Sequence, residues 1–296
     1  MQSVVKTYPG LKTRFIVNPR SGRATHALAE VRAFAARRGG EIFLTERAGH
    51  AGELARAALA AGCDRIVAVG GDGTMNEIAA VVSGSTATLG LVPCGSGDGL
   101  GRHLGIHGPV ARALAILDHG HTRLIDTGIA DGHPFFTAAG IGFEAEIAHR
   151  FNRLQQRGFL RYLTTSAVAW REWRSQDYVV SHAGRRESFH AFTLAVANAD
   201  QYGNNARIAP GATVDDGQLD LCAIPPVSLG NGLPLALRLF RGTIAGGRGV
   251  QSRRSHHFAI ERAAPGWLHT DGELHEAGTR LEFSVKPASL RILAPA

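Results

Sequence analysis

Residues 65–82, RIVAVGGDGTMNEIAAVV, constrain this chain more than any other stretch. A β-branched, apolar run suited to a buried strand ends in Gly70-Gly71-Asp72-Gly73-Thr74, and apolar residues at helical spacing follow at once. Glycines let a backbone come close to an anion. A helix start adds unpaired N–H groups and a positive dipole end. The segment therefore reads as a phosphate cradle at the carboxyl end of a strand. Thr74 and Glu77 also fit a capping box, so starting the helix is their competing role. The chain has no Gly-Lys-Ser/Thr and no G-x-G-x-x-G after a strand, which excludes the P-loop and dinucleotide-fingerprint classes.

Around that cradle the first ~120 residues alternate short strand patterns, at 15–17, 41–44, 65–69 and 89–92, with helical ones at 25–38, 50–61 and 74–83. This is the pattern of a parallel α/β unit, in which glycine turns fall at the strand ends where ligands bind. From about residue 124 the pattern changes to strand-like runs between glycine turns, such as LIDTGIADG, HPFFTAAGIG, FTLAVANA and LDLCAI. Helical insertions at 144–173 and 229–245 interrupt these runs. The expected fold is an α/β nucleotide-binding domain with a parallel sheet over residues 1–122. A second, mainly antiparallel, β-sandwich-like domain covers 123–296, with the last strand free to return to the first.

The formal charge of +7 and pI near 9.9 point to an anionic partner: nucleotide, nucleic acid or an anionic membrane face. No nucleic-acid motif accompanies the charge, so nucleic acid is not expected. Cys63, Cys94 and Cys222 lack disulfide or zinc spacing. No apolar run is long enough to span a bilayer and no signal peptide opens the chain, so the expected location is the cytoplasm, with peripheral contact at the inner membrane face.

Gly-Gly-Asp-Gly-Thr followed by Asn76-Glu77 resembles the signature shared by the diacylglycerol kinase and sphingosine kinase catalytic domain and by NAD kinases. Three further segments favour the lipid kinases. Asn18-Pro19-Arg20-Ser21-Gly22 resembles their N-P-x-S-G. Pro93-Cys94-Gly95-Ser96-Gly97-Asp98 resembles their P-x-G-S/T-x-N, with Asp98 standing where asparagine is usual. His269-Thr270-Asp271-Gly272-Glu273 resembles their D-G-E. Ile125-Asp126-Thr127-Gly128 and Ala139-Gly140-Ile141-Gly142-Phe143 resemble the family's passage into its second domain. Gly95-Ser96-Gly97 with Leu100 looks slightly closer to the sphingosine kinase form than to the diacylglycerol kinase form.

The resemblance implies an ATP-dependent lipid kinase that uses Mg²⁺ and acts on diacylglycerol, a sphingoid base or a related lipid alcohol, with homodimer formation left open. Nucleotide would be held by Asn18, Thr45, Gly70, Gly71, Asp72, Gly73, Thr74, Met75, Asn76 and Ser96. Glu273 would be the base toward the lipid hydroxyl, with Asp271 the competing candidate; a strand would point both side chains to one face, and the bland alternative is a solvated Asp-Gly turn in a hairpin. Beside phosphates, Asp72 needs a metal or a nearby donor in compensation, which argues for Mg²⁺ nearby, and stabilising the turn is its alternative role. The turn at Asp216 resembles a structural cation site, using the Asp216 carboxylate and the carbonyls of Thr213 and Gln218, or it is an ordinary turn before a strand. Arg150, Arg153, Arg157 and Arg161 share a helix face that suits anionic lipid or plain solvent. The histidines are assigned to surface or core, and Trp170, Trp173 and Trp267 to packing. The alternatives are an NAD kinase and a catalytically inactive nucleotide- or lipid-binding regulator.

Overall fold

Strand order in the amino-terminal half reverses where the crossovers demand it. The structure, a computed structural model, describes residues 11–152 and 169–296 and divides into two units, Met1–Ile125 with Ala288–Ala296, and Asp126–Pro287. Unit 1 carries β1 (Thr13–Val17), α1 (Ala24–Arg38), β2 (Glu41–Leu44), α2 (His50–Ala60), β3 (Arg65–Gly70), α3 (Asp72–Val82), β4 (Thr88–Pro93), α4 (Gly99–His103) and α5 (Val110–His119). The strands pair in parallel in the order β2-β1-β3-β4. Right-handed crossovers on either side of β1 send α1 to one face and α2 and α3 to the other. Accordingly α1 packs on α5, and α2 on α3. Ile16, Val17, Ile66, Val67, Val69, Leu89 and Val92 are buried between these layers, which explains their unbroken apolar runs. The topological switch between β1 and β3 opens a crevice at their carboxyl ends, where the Asn18 and Gly70 turns lie.

The chain leaves unit 1 within β5 (His121–Ala130) and returns to it within its last strand, Arg280–Ala294. The returning end pairs in parallel with β4, Arg291 opposite Thr88 and Ile292 opposite Leu89.

Unit 2 continues with β6 (His133–Phe135), β7 (Ala138–Gly142), α6 (Phe143–Asn152), β8 (Gln176–His182), β9 (Arg185–Ala191), β10 (Thr193–Ala197), β11 (Leu219–Ile224) and α7 (Gly232–Arg241). It closes with β12 (Gln251–Ser255), β13 (His257–Arg262), β14 (Gly266–Thr270), β15 (Glu273–Ala277) and the first residues of β16 (Arg280–Ala294). One antiparallel sheet runs β12-β11-β10-β7-β14-β15, and a second holds β16, β13, β8 and β9. Tyr178, Phe189, Phe258 and Phe283 from the second sheet meet Ile141, Leu194, Val196 and Leu268 from the first, forming the core of a β-sandwich. The outer face of the first sheet is covered as well: Ala195, Ala197 and Cys222 pack with Ile208, Leu235 and Ile244, and with Trp170 and Trp173. β10 is therefore apolar on both faces, and its sequence Thr-Leu-Ala-Val-Ala lacks alternation. Trp173 also donates its indole N–H to the Phe192 carbonyl at 3.0 Å, a packing role with its polar tip satisfied.

Candidate active site

Three loops of unit 1 interlock at the strand ends. Asn18 donates its backbone N–H to the Val69 carbonyl at 2.9 Å and its side-chain amide to the Thr74 hydroxyl at 3.0 Å, tying the end of β1 to the glycine loop. Cys94 donates its N–H to the Gly70 carbonyl at 2.7 Å, and its own carbonyl accepts the Arg23 N–H at 3.0 Å. Backbone approaches backbone so closely that two glycines are obligatory: a Cβ on Gly95 would lie 2.8 Å from the Gly71 Cα, and one on Gly22 2.2 Å from the Cys94 carbonyl oxygen. By contrast nothing lies within 4 Å of where a Gly73 Cβ would stand, so the tip of the cradle is open. Thr45 is buried at the end of β2, its N–H on the Val17 carbonyl, and Ser96 is exposed. Met75 is buried, and the Asn76 Oδ1 is enclosed with no hydrogen-bond partner among the described residues.

The helix after the loop begins earlier than its capping-box pattern suggests. Gly71 is the N-cap and Asp72 the first helical residue, so Thr74 and Glu77 do not form a capping box. Glu77 instead accepts the N–H groups of Gly49 at 2.9 Å and Gly52 at 3.3 Å, capping the amino end of α2 across the layer.

Asp72 finds its compensation in nearby donors: its carboxylate accepts the N–H groups of Asp98 at 3.0 Å and Gly99 at 3.1 Å. This clamps the glycine loop to the third loop. Asp98 itself is buried in the left-handed region, φ 55°, and sits 2.8 Å from the His107 Nδ1. Burial pushes the Asp98 pKa up to about 6, with the Asp72 charge adding and the His107 hydrogen bond opposing. His107 is thus the partner of this buried carboxylate, a pairing that spacing did not reveal. Burial also lifts the Cys94 thiol to about 11, which leaves it un-ionised beside the cradle.

In unit 2, Asp271 and Gly272 are the two residues of the turn between β14 and β15, both at positive φ, 49° and 85°. This is an Asp-Gly type I′ hairpin turn, the alternative the sequence offered, so the expectation that Asp271 and Glu273 share a strand face fails, though the Asp271 side chain is not solvated. The Asp271 carboxylate turns inward and accepts the N–H groups of Phe136 (2.7 Å), Thr137 (2.9 Å) and Ala138 (3.0 Å), and the Thr137 hydroxyl. Burial raises its pKa against the pull of those donors. Glu273, the next carboxylate, is exposed. Behind the turn His269 is buried, with Nε2 3.0 Å from Glu144 and Nδ1 accepting the Gly272 N–H at 3.4 Å. Gly140 makes room for that pair: a Cβ there would stand 2.7 Å from the Glu144 carboxylate. His275 contacts the Thr270 hydroxyl at 2.7 Å and stacks on His133, and burial lowers its pKa to about 4. Sequence reading did not assign Glu144 a role; its only signal is its place directly after Ala139-Gly140-Ile141-Gly142-Phe143.

The Asp216 turn is held by Asp126, which is buried and accepts the Gly217 N–H at 2.7 Å. The Asp216 carboxylate accepts the Gln218 N–H at 3.0 Å and lies 3.3 Å from Arg254, which also pairs with Asp220. A cation held there by Asp216 with the Thr213 and Gln218 carbonyls would share the carboxylate with that guanidinium. Arg150 is paired with Glu146 and Glu172, both at 2.6 Å, whereas Arg153, Arg157 and Arg161 lie outside the described residues.

The description "Diacylglycerol kinase catalytic domain" matches residues 12–130, and "YegS C-terminal NAD kinase beta sandwich-like domain" matches 137–294. The chain belongs to the diacylglycerol kinase and YegS-like lipid kinase family. Within that family it is 32% identical, over 86% of its length and 84% of the relative's, to a Pseudomonas aeruginosa protein described as "Probable lipid kinase YegS-like". It is 29% identical, over 96% and 95%, to the diacylglycerol kinase of Mycobacterium tuberculosis. A crystal structure of a diacylglycerol kinase from Bacillus anthracis has the same fold, with a TM-score of 0.74 over 96% of both chains at 20% identity. The family matches cover both the cradle and the Asp271 hairpin of this kinase. No helix among its described residues is long and apolar enough to cross a membrane.

Proposed function

We propose that the chain transfers the γ-phosphate of ATP to a hydroxyl of a membrane lipid alcohol: diacylglycerol, a sphingoid base or a related lipid. The observation that carries this reading is the interlocked cradle of unit 1, whose glycines are fixed by backbone contact while Gly73 stays open. Phosphates bind to the N–H groups at the start of α3, where the helix dipole favours negative charge. Asn18 holds Thr74 in place beside them, and the Asn76 Oδ1, without a partner among the described residues, is an acceptor available to a ligand donor. Glu273 takes the proton of the acceptor hydroxyl. Asp271 and the His269–Glu144 pair set the turn that presents it, Asp271 by binding residues 136–138 and His269 through the Gly272 N–H.

Mg²⁺, when bound, would neutralise the charge of the transferring phosphoryl group. Among the described residues no group of three His, Cys, Asp or Glu side chains is placed around a metal. A Mg²⁺ held largely by nucleotide phosphates and its own waters does not need one, so the donor set fits a nucleotide-borne ion.

The test is transfer of labelled phosphate from ATP to a panel of lipid alcohols in mixed micelles, with NAD as a competing acceptor. Lipid phosphorylation lost in Glu273→Ala supports the reading. Phosphorylation of NAD alone, or equal turnover by wild type and Glu273→Ala, would overturn it.

A further inference from the structure

Seven large hydrophobic side chains are exposed among the described residues, and four of them fall between positions 229 and 240: Leu229 (87%), Leu233 (69%), Leu237 (44%) and Phe240 (55%). Single exposed leucines need no explanation, but a cluster on one element does. On α7 (Gly232–Arg241), Leu233, Leu237 and Phe240 fall within about 60° of one another at 100° per residue. Leu235 points the other way, buried with Ala195, Cys222 and Ile244, and Leu239 packs against the same cluster. The helix is therefore apolar on two sides, one spent on the sandwich and the other facing solvent.

Charge decides what the outer side fits. Residues 225–254 contain five arginines and no aspartate or glutamate. Arg253 and Arg254 are paired with Glu187, Asp216 and Asp220. Arg238, Arg241 and Arg248 are exposed; Arg241 stands about 40° from Leu237 on the wheel, Arg238 lies further round the helix with its Nη1 donating to the Thr243 carbonyl at 3.2 Å, and Arg248 follows the helix. A second copy of this face would bring arginines against arginines with no carboxylate between them. An apolar interior beneath an anionic headgroup plane meets both features at once.

We propose that α7 is an interfacial helix, laying Leu233, Leu237 and Phe240 into an anionic lipid bilayer while Arg238, Arg241 and Arg248 reach the lipid phosphates. The apolar side chains supply depth. Arg241, with an apolar stem and a charged head, borders the stripe at headgroup level, and Arg238 and Arg248 add positive charge. The inference rests on the lipid-kinase reading for its purpose, but the binding itself stands on this face alone.

The test is co-sedimentation of the full chain, without nucleotide, with phosphatidylcholine vesicles that contain or lack phosphatidylglycerol. Wild type is expected to bind the anionic vesicles, more weakly as salt rises. The triple variant Leu233→Gln, Leu237→Gln, Phe240→Gln should lose about a hundredfold or more in partitioning. Arg238→Gln with Arg241→Gln should lose roughly fivefold per arginine. The substituted side chains are exposed, so the thermal midpoint should hold, and phosphoryl transfer to a short-chain, water-soluble acceptor should be unchanged in the triple variant. As a second readout, Leu237→Cys can be labelled with an environment-sensitive dye, since Cys63, Cys94 and Cys222 are buried; its emission should shift to the blue only with anionic vesicles. Undiminished vesicle binding by the triple variant, or no binding by wild type, would overturn the proposal. So would a wild-type dimer that the variant dissociates with no change in vesicle binding. Vesicle binding by a wild type that phosphorylates no acceptor would sink the kinase reading and leave the docking face standing.

Discussion

Asp98 occupies a backbone conformation, φ 55°, that asparagine accepts well and aspartate accepts less readily. The substitution for the family's usual asparagine is therefore a change of charge at an unchanged shape. Its folded pKa of about 6 lies above the ordinary value of 3.8. The stability it contributes is thus fully present below about pH 4 and is lost as pH rises through about 6. Asp98→Asn keeps an acceptor for His107 and removes the buried charge. It should raise stability at neutral pH by on the order of 2 kcal/mol and flatten the pH dependence between those values, as read by denaturant unfolding. The two carboxylates of the hairpin separate in the same way. Glu273→Ala should lower kcat by about a hundredfold or more with an unchanged melting temperature. Asp271→Ala leaves backbone N–H groups of residues 136–138 without their acceptor and should cost roughly 3 kcal/mol of stability as well as activity. Equal melting losses in the two variants would refute this division.

At the scale of elements, the cradle is a joint between loops, and its glycines answer to their neighbours. Gly95→Ala puts a methyl group against the Gly71 backbone, which has no soft side chain to yield. The expected result is a rise in the KM for ATP and about 1–3 kcal/mol of destabilisation from overpacking. The cap on α2 works across the layer too. Glu77→Ala strips two N–H groups of their acceptor and should cost about 0.5–2 kcal/mol, measurable by thermal unfolding. Local spacing suggested that Glu77 caps its own helix. The same carboxylate reaches α2 because α3 lies beside it, a fact that no local window contains.

For the whole molecule, the consequential feature is the end of the chain. Ala288–Ala296 belongs to unit 1, where Arg291 and Ile292 pair with β4, the Ser289 carbonyl accepts the Gly84 N–H at 2.6 Å and Arg291 reaches the Ser85 carbonyl at 2.8 Å. A fragment of residues 12–125 would leave that side of β4 unpaired, an edge prone to association. It should aggregate in light scattering, and a peptide of residues 288–296 should restore a soluble, cooperatively melting species. A fragment that melts cooperatively without the peptide would refute the assignment.

The amino-acid sequence determined the class of each unit, because periodicity and glycine placement are local. Strand and helix spacing made the parallel α/β unit legible, and Gly70 to Thr74 made the glycine turn between strand and helix legible. The runs from LIDTGIADG onward made the antiparallel sandwich legible. What the tertiary structure decided was which partner each polar group found. Asp72 and Asp98 are tied together through backbone N–H groups across 26 residues, Asp271 binds residues 136–138 from over 130 positions away, and His269 meets Glu144 across 125. A buried carboxylate must be satisfied by whatever donors the fold brings to it, and those donors are mostly backbone N–H groups, which every residue but proline carries and no sequence pattern marks.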